Sequence, residues 1–567
     1  FVIFNTLSIT IAQRTRELAT LRTLGASRRQ VLRSVIVESL AIGVLASLIG
    51  IAAGIGLARG LTALFDVMGL SLPQSSPVYA TRTFVVALLL GVLVTLFAGL
   101  WPAVRATRVP PIAAVREGAV LERRKRLGPI AGAVLFGIAT ALIAYATLGG
   151  NLGAGKSLLA LAAGTLIGLL GVAGFAPALV SGLAKLVGFP ARSLGGPAGQ
   201  LASSNAVRNP ARTASTAAAL MIGLALVSFV AVLGKGLHGS VDRALHEQVS
   251  ADWVISSKNG WSAFTAAAGA AAEKTPGITR STSIRSDRGR VKNANATVNG
   301  VDPTTVSGLY NFTWKQGSSN ASLARLGDSG ALVKRSFANE HDLQLGHAFT
   351  LRTPAGKPLH LTVVGVFQPP RLYELLGGIV ISQQAFDRNF ARPGNQLTLI
   401  DGNVSRPGLE RSLASFPDTQ IETEAEFVKS QSSWISTMTN LLYVLLALSV
   451  VVSLFGMVNT LVLSVFERTR ELGMLRAVGL TRRQTRRMVR HESVITALIG
   501  AALGLPLGIL LAAAVTHAVG KYGVAFSFPV VSIIAFTVTA ILAGILAAVA
   551  PARRASRLDV LSALQYE

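Results

Sequence analysis

Two short stretches of the sequence have residue spacings that are typical of catalytic or ligand sites. Residues 150–157 read GNLGAGKS and match GxxxxGK[ST], the loop that cradles nucleotide phosphates. Such a loop needs a strand before it, a helix after it and an acidic partner for Mg²⁺. Here it joins two long apolar segments, so we interpret it as a glycine-rich hairpin between membrane helices. His491 and Glu492 begin the zinc pattern HExxH, but position 495 is isoleucine and the pattern fails.

The remaining titratable residues do not form a recognisable catalytic set. The seven histidines show no ligand spacing, and the chain has no cysteine. Disulfides and thiolate metal sites are therefore excluded. We predict no catalytic, cofactor-binding or metal site in this chain, and no enzyme activity of its own.

A charged segment occurs twice in the chain. Residues 5–39 and 459–493 align without a gap at an offset of 454, and about half of the thirty-five positions are identical. Each copy lies between long apolar stretches, so each is a charged connection inside a membrane protein. We expect a charged connection that is repeated in this detail to contact a partner.

The composition is that of a polytopic membrane protein. Of 567 residues, 51% are hydrophobic and 14% charged, and the mean hydropathy is +0.53. Crossing a bilayer as a helix takes about 20 apolar residues. Uncharged stretches of that length lie at 84–104, 129–149, 157–184, 213–234, 435–466 and 493–516, with further spans at about 526–550 and 40–58.

The basic residues alternate along the chain in a way that orients these helices. The net charge is +26, which would suit nucleic acid, but the cations concentrate in alternate connections. Six arginines lie in 12–33 and eight in 467–490, whereas 66–82, 148–156 and 518–528 hold one cation each. This is the positive-inside rule. It excludes nucleic acid as the partner and places both copies of the repeat on the cytoplasmic side, in parallel orientation.

This ordering predicts six segments. They are a first permease repeat at 1–116, a basic cytoplasmic linker at 117–128, two connecting membrane helices at 129–184, a cytoplasmic segment with a membrane helix at 185–235, an extracytoplasmic domain at 236–432 and a second permease repeat at 433–567. The sequence matches at Pro102–Arg108 and Pro551–Arg557 extend the similarity of the two repeats to the inner end of a later helix. The fold class is a polytopic α-helical membrane protein with a parallel internal repeat and a small α+β extracytoplasmic domain.

The polar region 236–432 predicts strands and short helices. Strand composition appears at 278–286, 347–353, 360–367, 377–382 and 396–401, with a hairpin turn at 354–358. Short helices are predicted at 331–343, 383–390 and 406–416.

Several of these motifs resemble a known family. The pattern RTRELxxLRxxGxxRRQ after an inward-going helix resembles the coupling segment of FtsX-like/MacB-like ABC transporter permeases of the two-repeat subfamily. Residues 205–214 (NAVRNPARTA), 298–303 (VNGVDP) and 331–351 resemble that family's extracytoplasmic helix and its MacB-like periplasmic core. The resemblance covers nearly the whole chain, and the helix pair at 129–184 is less typical.

The resemblance implies a permease subunit in the cell membrane that works with a separate ABC ATPase dimer, which binds ATP and Mg. In this family ATP hydrolysis moves an outside domain by mechanotransmission, which here implies export or extraction of a lipophilic or peptide-like substrate. The alternative is a non-transporting regulator that passes the motion to an extracytoplasmic hydrolase or sensor. Membrane lipids and an extracytoplasmic protein are further expected partners. The first repeat lacks the family's opening helix and outside domain, so we expect the sequence to be truncated at its N-terminus.

The repeated connection supplies the candidate docking residues. Leucines three positions apart share one face of a short helix, with fixed charges beside them, which suits docking into a cleft of the ATPase. A glycine then ends the helix. The predicted docking residues are Arg14, Arg16, Glu17, Leu18, Leu21, Arg22 and Gly25 in the first copy, and Arg468, Arg470, Glu471, Leu472, Leu475, Arg476 and Gly479 in the second. For Glu38 and Glu492, near the inner helix ends, we expect a structural role at the interface.

Overall fold

The protein consists mainly of long helices, with one sheet domain between two of them in the sequence. The computed structural model describes residues 2–67, 80–107, 127–148 and 154–559, apart from the single positions 209, 261, 293, 316 and 392. Two compact units divide the chain. The first comprises residues 1–231, 441–514 and 529–567, and the second comprises residues 232–440 and 515–528.

The described helices follow the apolar stretches closely. In chain order they are α1 Val2–Gln13, α2 Thr15–Thr23, α3 Arg28–Val67, α4 Thr81–Ala106, α5 Leu127–Leu148, α6 Ala154–Val187, α7 Phe189–Leu194, α8 Gly196–Arg208, α9 Pro210–Gln248, α10 Ala266–Glu273, α11 Arg335–Glu340, α12 Gln383–Asn389, α13 Arg406–Ser412, α14 Glu424–Glu467, α15 Thr469–Ala477, α16 Arg482–Val519 and α17 Val530–Ser556.

Eight helices in the described part of the chain are long and apolar enough to cross a membrane. They are α3, α4, α5, α6, α9, α14, α16 and α17, and each coincides with a predicted span. The predicted membrane spans are therefore confirmed. Of the predicted linker at 117–128, residues 117–126 lie outside the described residues, and 127–128 already belong to α5. Of the glycine-rich stretch at 150–157, residues 150–153 also lie outside them.

Glycines allow α9 and α16 to pack backbone against backbone in the first unit. A Cβ atom on Gly504 would collide with the carbonyl oxygen of Met221, and one on Gly508 would collide with that of Ala225. Small residues four apart permit this close approach, which is the main source of packing energy between membrane helices. Leu220 and Leu224 of α9 complete the contact in a buried cluster with residues of α14, α16 and α17.

The corresponding glycines of the first repeat have open surroundings. Gly50 and Gly54 of α3 hold the positions of Gly504 and Gly508 at the offset of 454, yet a Cβ atom on either would meet nothing within 4 Å among the described residues. Accordingly, 6% of the most apolar 18-residue stretch of α3 is buried within the protein, whereas 61% of the corresponding stretch of α16 is buried. The two repeats thus share a sequence pattern but not a set of neighbours.

Replacing Gly504 with leucine should test this difference in packing. We expect Gly504→Leu to destabilise the detergent-solubilised protein by about 1–3 kcal/mol, because the side chain must displace the backbone of α9. Gly50→Leu is the matched control, since its Cβ meets no neighbour. Thermal unfolding of the two variants measures the effect, and equal melting temperatures would contradict the packing described here.

The second unit contains a mixed sheet of eleven strands. The strands are β1 Trp253–Ser257, β2 Phe264–Thr265, β3 Ile278–Val291, β4 Ala294–Val301, β5 Trp314–Lys315, β6 Gly330–Lys334, β7 Ala348–Arg352, β8 Pro358–Phe367, β9 Ile379–Ser382, β10 Gly394–Gly402 and β11 Thr419–Thr423. Their order is β11-β1-β10-β3-β4-β9-β6-β8-β5, with β2 beside β10 and β7 beside β3 and β8. The β4–β9 and β6–β8 pairs are parallel and the others antiparallel.

The predicted α+β class of this unit is confirmed, although one helix is partly wrong and six of the eleven strands, β1, β2, β4, β5, β6 and β11, were not predicted. The five predicted strands coincide with β3, β7, β8, β9 and β10, and residues 353–357 turn between the paired strands β7 and β8. The helix predicted at 331–343 is wrong in its first part, because residues 330–334 form the buried strand β6 and the helix covers only Arg335–Glu340. Apolar residues in β6 pair with both β8 and β9, so the sheet overrides the local helical pattern.

Candidate functional site

The two repeated connections fold into the same short helix. Helices α2 and α15, here called the coupling helices, each span nine residues. Gly25 and Gly479 follow them with φ of 104° and 111°, as predicted for the end of the helix. The amides of Ala26 and Leu480 donate hydrogen bonds back to the carbonyls of Leu21 and Leu475. This is the Schellman arrangement, which favours glycine because of its positive φ.

The next residues start the following helix in the same way in both copies. The Ser27 hydroxyl accepts a hydrogen bond from the amide of Gln30, whose side chain accepts one from the amide of Ser27 at 2.8 Å. Thr481 and Gln484 make the equivalent pair of bonds. These are capping boxes, so the repeated glutamine stabilises the first turns of α3 and α16.

An arginine immediately before each coupling helix binds two glutamates. Arg14 donates to Glu38 at 2.7 and 2.8 Å and to Glu17 at 3.3 Å. Arg468 donates to Glu471 at 2.8 and 3.1 Å and lies 3.8 Å from Glu492. We call these two clusters the arginine clamps. They tie the coupling helix to the membrane helix that follows it, α3 or α16, and these ion pairs agree with the structural role expected for Glu38 and Glu492.

The second clamp is more enclosed than the first. The Arg468 side chain is 14% exposed and that of Arg14 44%. The hydrogen bond from Arg468 lowers the pKa of the Glu471 carboxyl, and the bonds to Glu38 and Glu17 raise the pKa of Arg14. Because the Glu471 pKa is lowered, its stabilisation is present above the ordinary glutamate value of about 4.3 and is lost as the pH falls through the lowered pKa.

A second pair of arginines fastens the other end of each coupling helix. Arg22 donates to the carbonyl of Thr107 at 3.2 Å, and Arg476 donates to the carbonyl of Leu558. Both carbonyls lie just beyond the inner ends of α4 and α17, where the sequence match around Pro102 and Pro551 occurs. Each coupling helix is therefore attached to two different membrane helices.

The apolar faces of the coupling helices divide into a buried and an exposed part. Leu18 packs with Ile11, Val31 and Val35, and Leu472 lies in a cluster with Met488 and Val489. These two leucines belong to the protein's own core and are not available to a partner. The exposed apolar residues are Leu21, Leu24, Met474 and Val478, of which Leu24 is 80% and Val478 89% exposed.

The structure thus separates the predicted docking residues into two groups. Arg14, Glu17, Arg22, Arg468, Glu471 and Arg476 form contacts within the chain, and Gly25 and Gly479 end the helices. Arg470, Leu21 and the half-buried Leu475 remain accessible, and the side chain of Arg16 lies outside the described residues. Leu24 and Val478 are exposed but were not among the predicted docking residues, although the repeat places an apolar residue before the glycine in both copies.

Comparisons with known families agree with this geometry. The FtsX-like permease C-terminal family matches residues 1–111 and 443–560, which include both coupling helices. The MacB-like periplasmic core domain family matches residues 213–413, which include most of the sheet. The chain contains FtsX-like permease and MacB-like periplasmic core domains. This FtsX-like permease is a multi-pass protein of the cell membrane.

Individual relatives of the permease are distant. An uncharacterised ABC transporter permease protein of Mycobacterium tuberculosis is 24% identical over 508 residues, 85% of this chain and 58% of the relative. A macrolide export ATP-binding/permease protein MacB of Shewanella oneidensis is 33% identical over 132 residues, 23% of this chain and 20% of the relative. The crystal structure of the periplasmic region of MacB from Actinobacillus actinomycetemcomitans has 14% identity and a TM-score of 0.25, over 33% of this chain and 94% of that one.

The permease chain therefore spans a little over half the length of the mycobacterial relative and about a fifth of the Shewanella relative. The family matches, rather than any single relative, establish these domains.

The different enclosure of the two clamps should be measurable. We expect Arg468→Ala to destabilise the permease by about 3 kcal/mol, because it removes the nearest counter-ion of the mostly buried Glu492. Arg14→Ala is the matched variant in the first repeat and should cost less than about 1 kcal/mol, since its partners are solvated. Denaturant unfolding in detergent micelles compares them, and a larger effect of Arg14→Ala would contradict this account.

Proposed function

We propose that the chain is the transmembrane permease subunit of an ABC complex and that its two coupling helices dock into a separate ATPase dimer. The observation that carries the proposal is an exposed apolar tip, Leu21 and Leu24 in one copy and Met474 and Val478 in the other, on a helix held at both ends. Two such tips, both predicted on the cytoplasmic side of the membrane, suit the two subunits of an ATPase dimer. In this proposal ATP and Mg are bound by the ATPase.

The clamps give the proposed docking a mechanical consequence. A force on α15 acts on α16 through Arg468 and Glu492, and on α17 through Arg476. The helix α14 is continuous from Glu424, directly after strand β11, to Glu467, directly before Arg468. At 1.5 Å per residue its 44 residues are about 66 Å long, against about 30 Å for the hydrocarbon layer. Such a helix is long enough to carry movement from the coupling helix to the sheet domain.

This arrangement favours mechanotransmission to the sheet domain, with export or extraction of a lipophilic or peptide-like substrate. Relatives named for pyoverdine export and for macrolide export support this substrate class. In our proposal ATP turnover occurs in the partner and the permease itself performs no chemistry.

Placing a charge on the exposed tips should weaken docking. We expect Leu24→Asp with Val478→Asp to reduce co-purification with the ABC ATPase encoded nearest to the permease by about tenfold or more, because a carboxylate in an apolar cleft loses its hydration. ATP turnover by the ATPase should then be the same with this permease variant in nanodiscs as without any permease. Each single variant should give an intermediate effect, since the two tips act on two subunits.

A leucine of the sheet domain provides the matched control. Leu345 is 41% exposed, so Leu345→Asp introduces the same charge at an accessible position outside the coupling helices. It should leave co-purification unchanged. Association of the Leu24→Asp, Val478→Asp variant at the level of the control would refute the docking proposal.

A further inference from the structure

An exposed group of arginines lies at the start of α16, and these arginines do not belong to the arginine clamps. It consists of Arg482, Arg483, Arg486, Arg487 and Arg490, here called the arginine patch. Residues four apart lie above one another on a helix, so the patch forms two adjacent stripes, one of 482, 486 and 490 and one of 483 and 487. All five side chains are exposed.

The patch carries uncompensated positive charge. Within the described part of the chain, none of its members forms an ion pair or a hydrogen bond through its side chain. The acidic residues near the start of α16, Glu471 and Glu492, are paired with Arg468. Five guanidinium groups over about 12 Å of helix therefore face solvent or a partner, at 1.5 Å per residue.

The patch also differs between the two repeats. Positions 486 and 490 correspond to Leu32 and Ile36 of α3 at the offset of 454, whereas Arg482, Arg483 and Arg487 have arginines as counterparts. Membrane orientation requires cations in both connections equally. Two additional arginines on one repeat indicate a site that only the second repeat has.

The position of the patch along α16 favours a lipid headgroup over a protein. Arg490 lies within one helical turn of the uncharged stretch that begins at residue 493, and Arg482 lies two turns further from it. Each headgroup layer is about 5–8 Å thick, the difference between the full bilayer and its hydrocarbon core. Guanidinium groups bind phosphate oxygens through two parallel hydrogen bonds.

We propose that the arginine patch binds the headgroup of an anionic phospholipid in the leaflet around the inner end of α16. The two stripes hold the lipid phosphate between them, and the acyl chains lie along the apolar part of the helix. The site belongs to the second repeat alone.

The internal repeat supplies the substitution that tests this site. Arg486→Leu with Arg490→Ile introduces the residues of the first repeat into the second, at positions where the same backbone accepts them. The full chain is reconstituted in nanodiscs of phosphatidylcholine with phosphatidylglycerol, and spin-labelled phosphatidylglycerol reports the lipid held by the protein. We expect the preference for phosphatidylglycerol over phosphatidylcholine to fall by about tenfold, because the attraction of two basic residues to an anionic membrane surface has an energy of this order.

Control variants separate the site from net charge. Arg288→Leu with Arg335→Ile removes two exposed arginines from the sheet domain and should leave the preference unchanged. Retention of the wild-type preference by the Arg486→Leu, Arg490→Ile variant would overturn the proposal. An equal loss in both variants would also overturn it, because net charge would then be the cause. A loss of ATPase co-purification without a change in lipid preference would assign the patch to the ATPase instead and refute the lipid site.

Discussion

Each coupling helix depends on the ion pairs that the arginine immediately before it makes with two glutamates. One glutamate lies on the coupling helix and the other on the membrane helix that follows it, so a single guanidinium group joins two elements. A nine-residue helix is too short to be stable alone in water. Its stability must come from these tertiary contacts, from the buried leucine beneath it and from the glycine that ends it.

Most of the residues that are identical in the two copies therefore stabilise the local fold of the connection. Glutamate completes the clamp, leucine fills the core, glycine permits the positive φ and glutamine caps the next helix. Few of the identical residues remain free for a partner. The apolar residues of the repeated connections with the largest exposed fraction, at positions 24 and 478, are similar rather than identical. An interface that must fit a partner's cleft needs matching shape and polarity, whereas a cap or an ion pair needs a particular side chain.

The two halves have the same local structure in different surroundings. In the second half α16 packs against α9 through glycines and the clamp is enclosed, whereas the equivalent glycines of α3 are open and the first clamp is solvated. The same residues thus contribute different amounts of stabilisation, because the cost of breaking an ion pair depends on how well water can replace the partner. The additional arginines at 486 and 490 extend this difference to the charge of the two halves.

The sequence by itself determined the membrane spans, their order, the repeat, the class of the inserted domain and the ends of the coupling helices. These properties follow from local patterns. An uncharged stretch of about 20 residues predicts a membrane span, and a glycine after a short helix predicts its end, whatever the distant neighbours are. Only the tertiary structure decided that Leu18 and Leu472 are buried, that the arginines bind within the chain and that residues 330–334 form a strand. Each of these depends on contacts with residues far away in the chain, such as Arg476 with Leu558 or β6 with β8 and β9. Helical spacing shows which residues share a face, but the neighbouring helices determine which part of that face remains exposed.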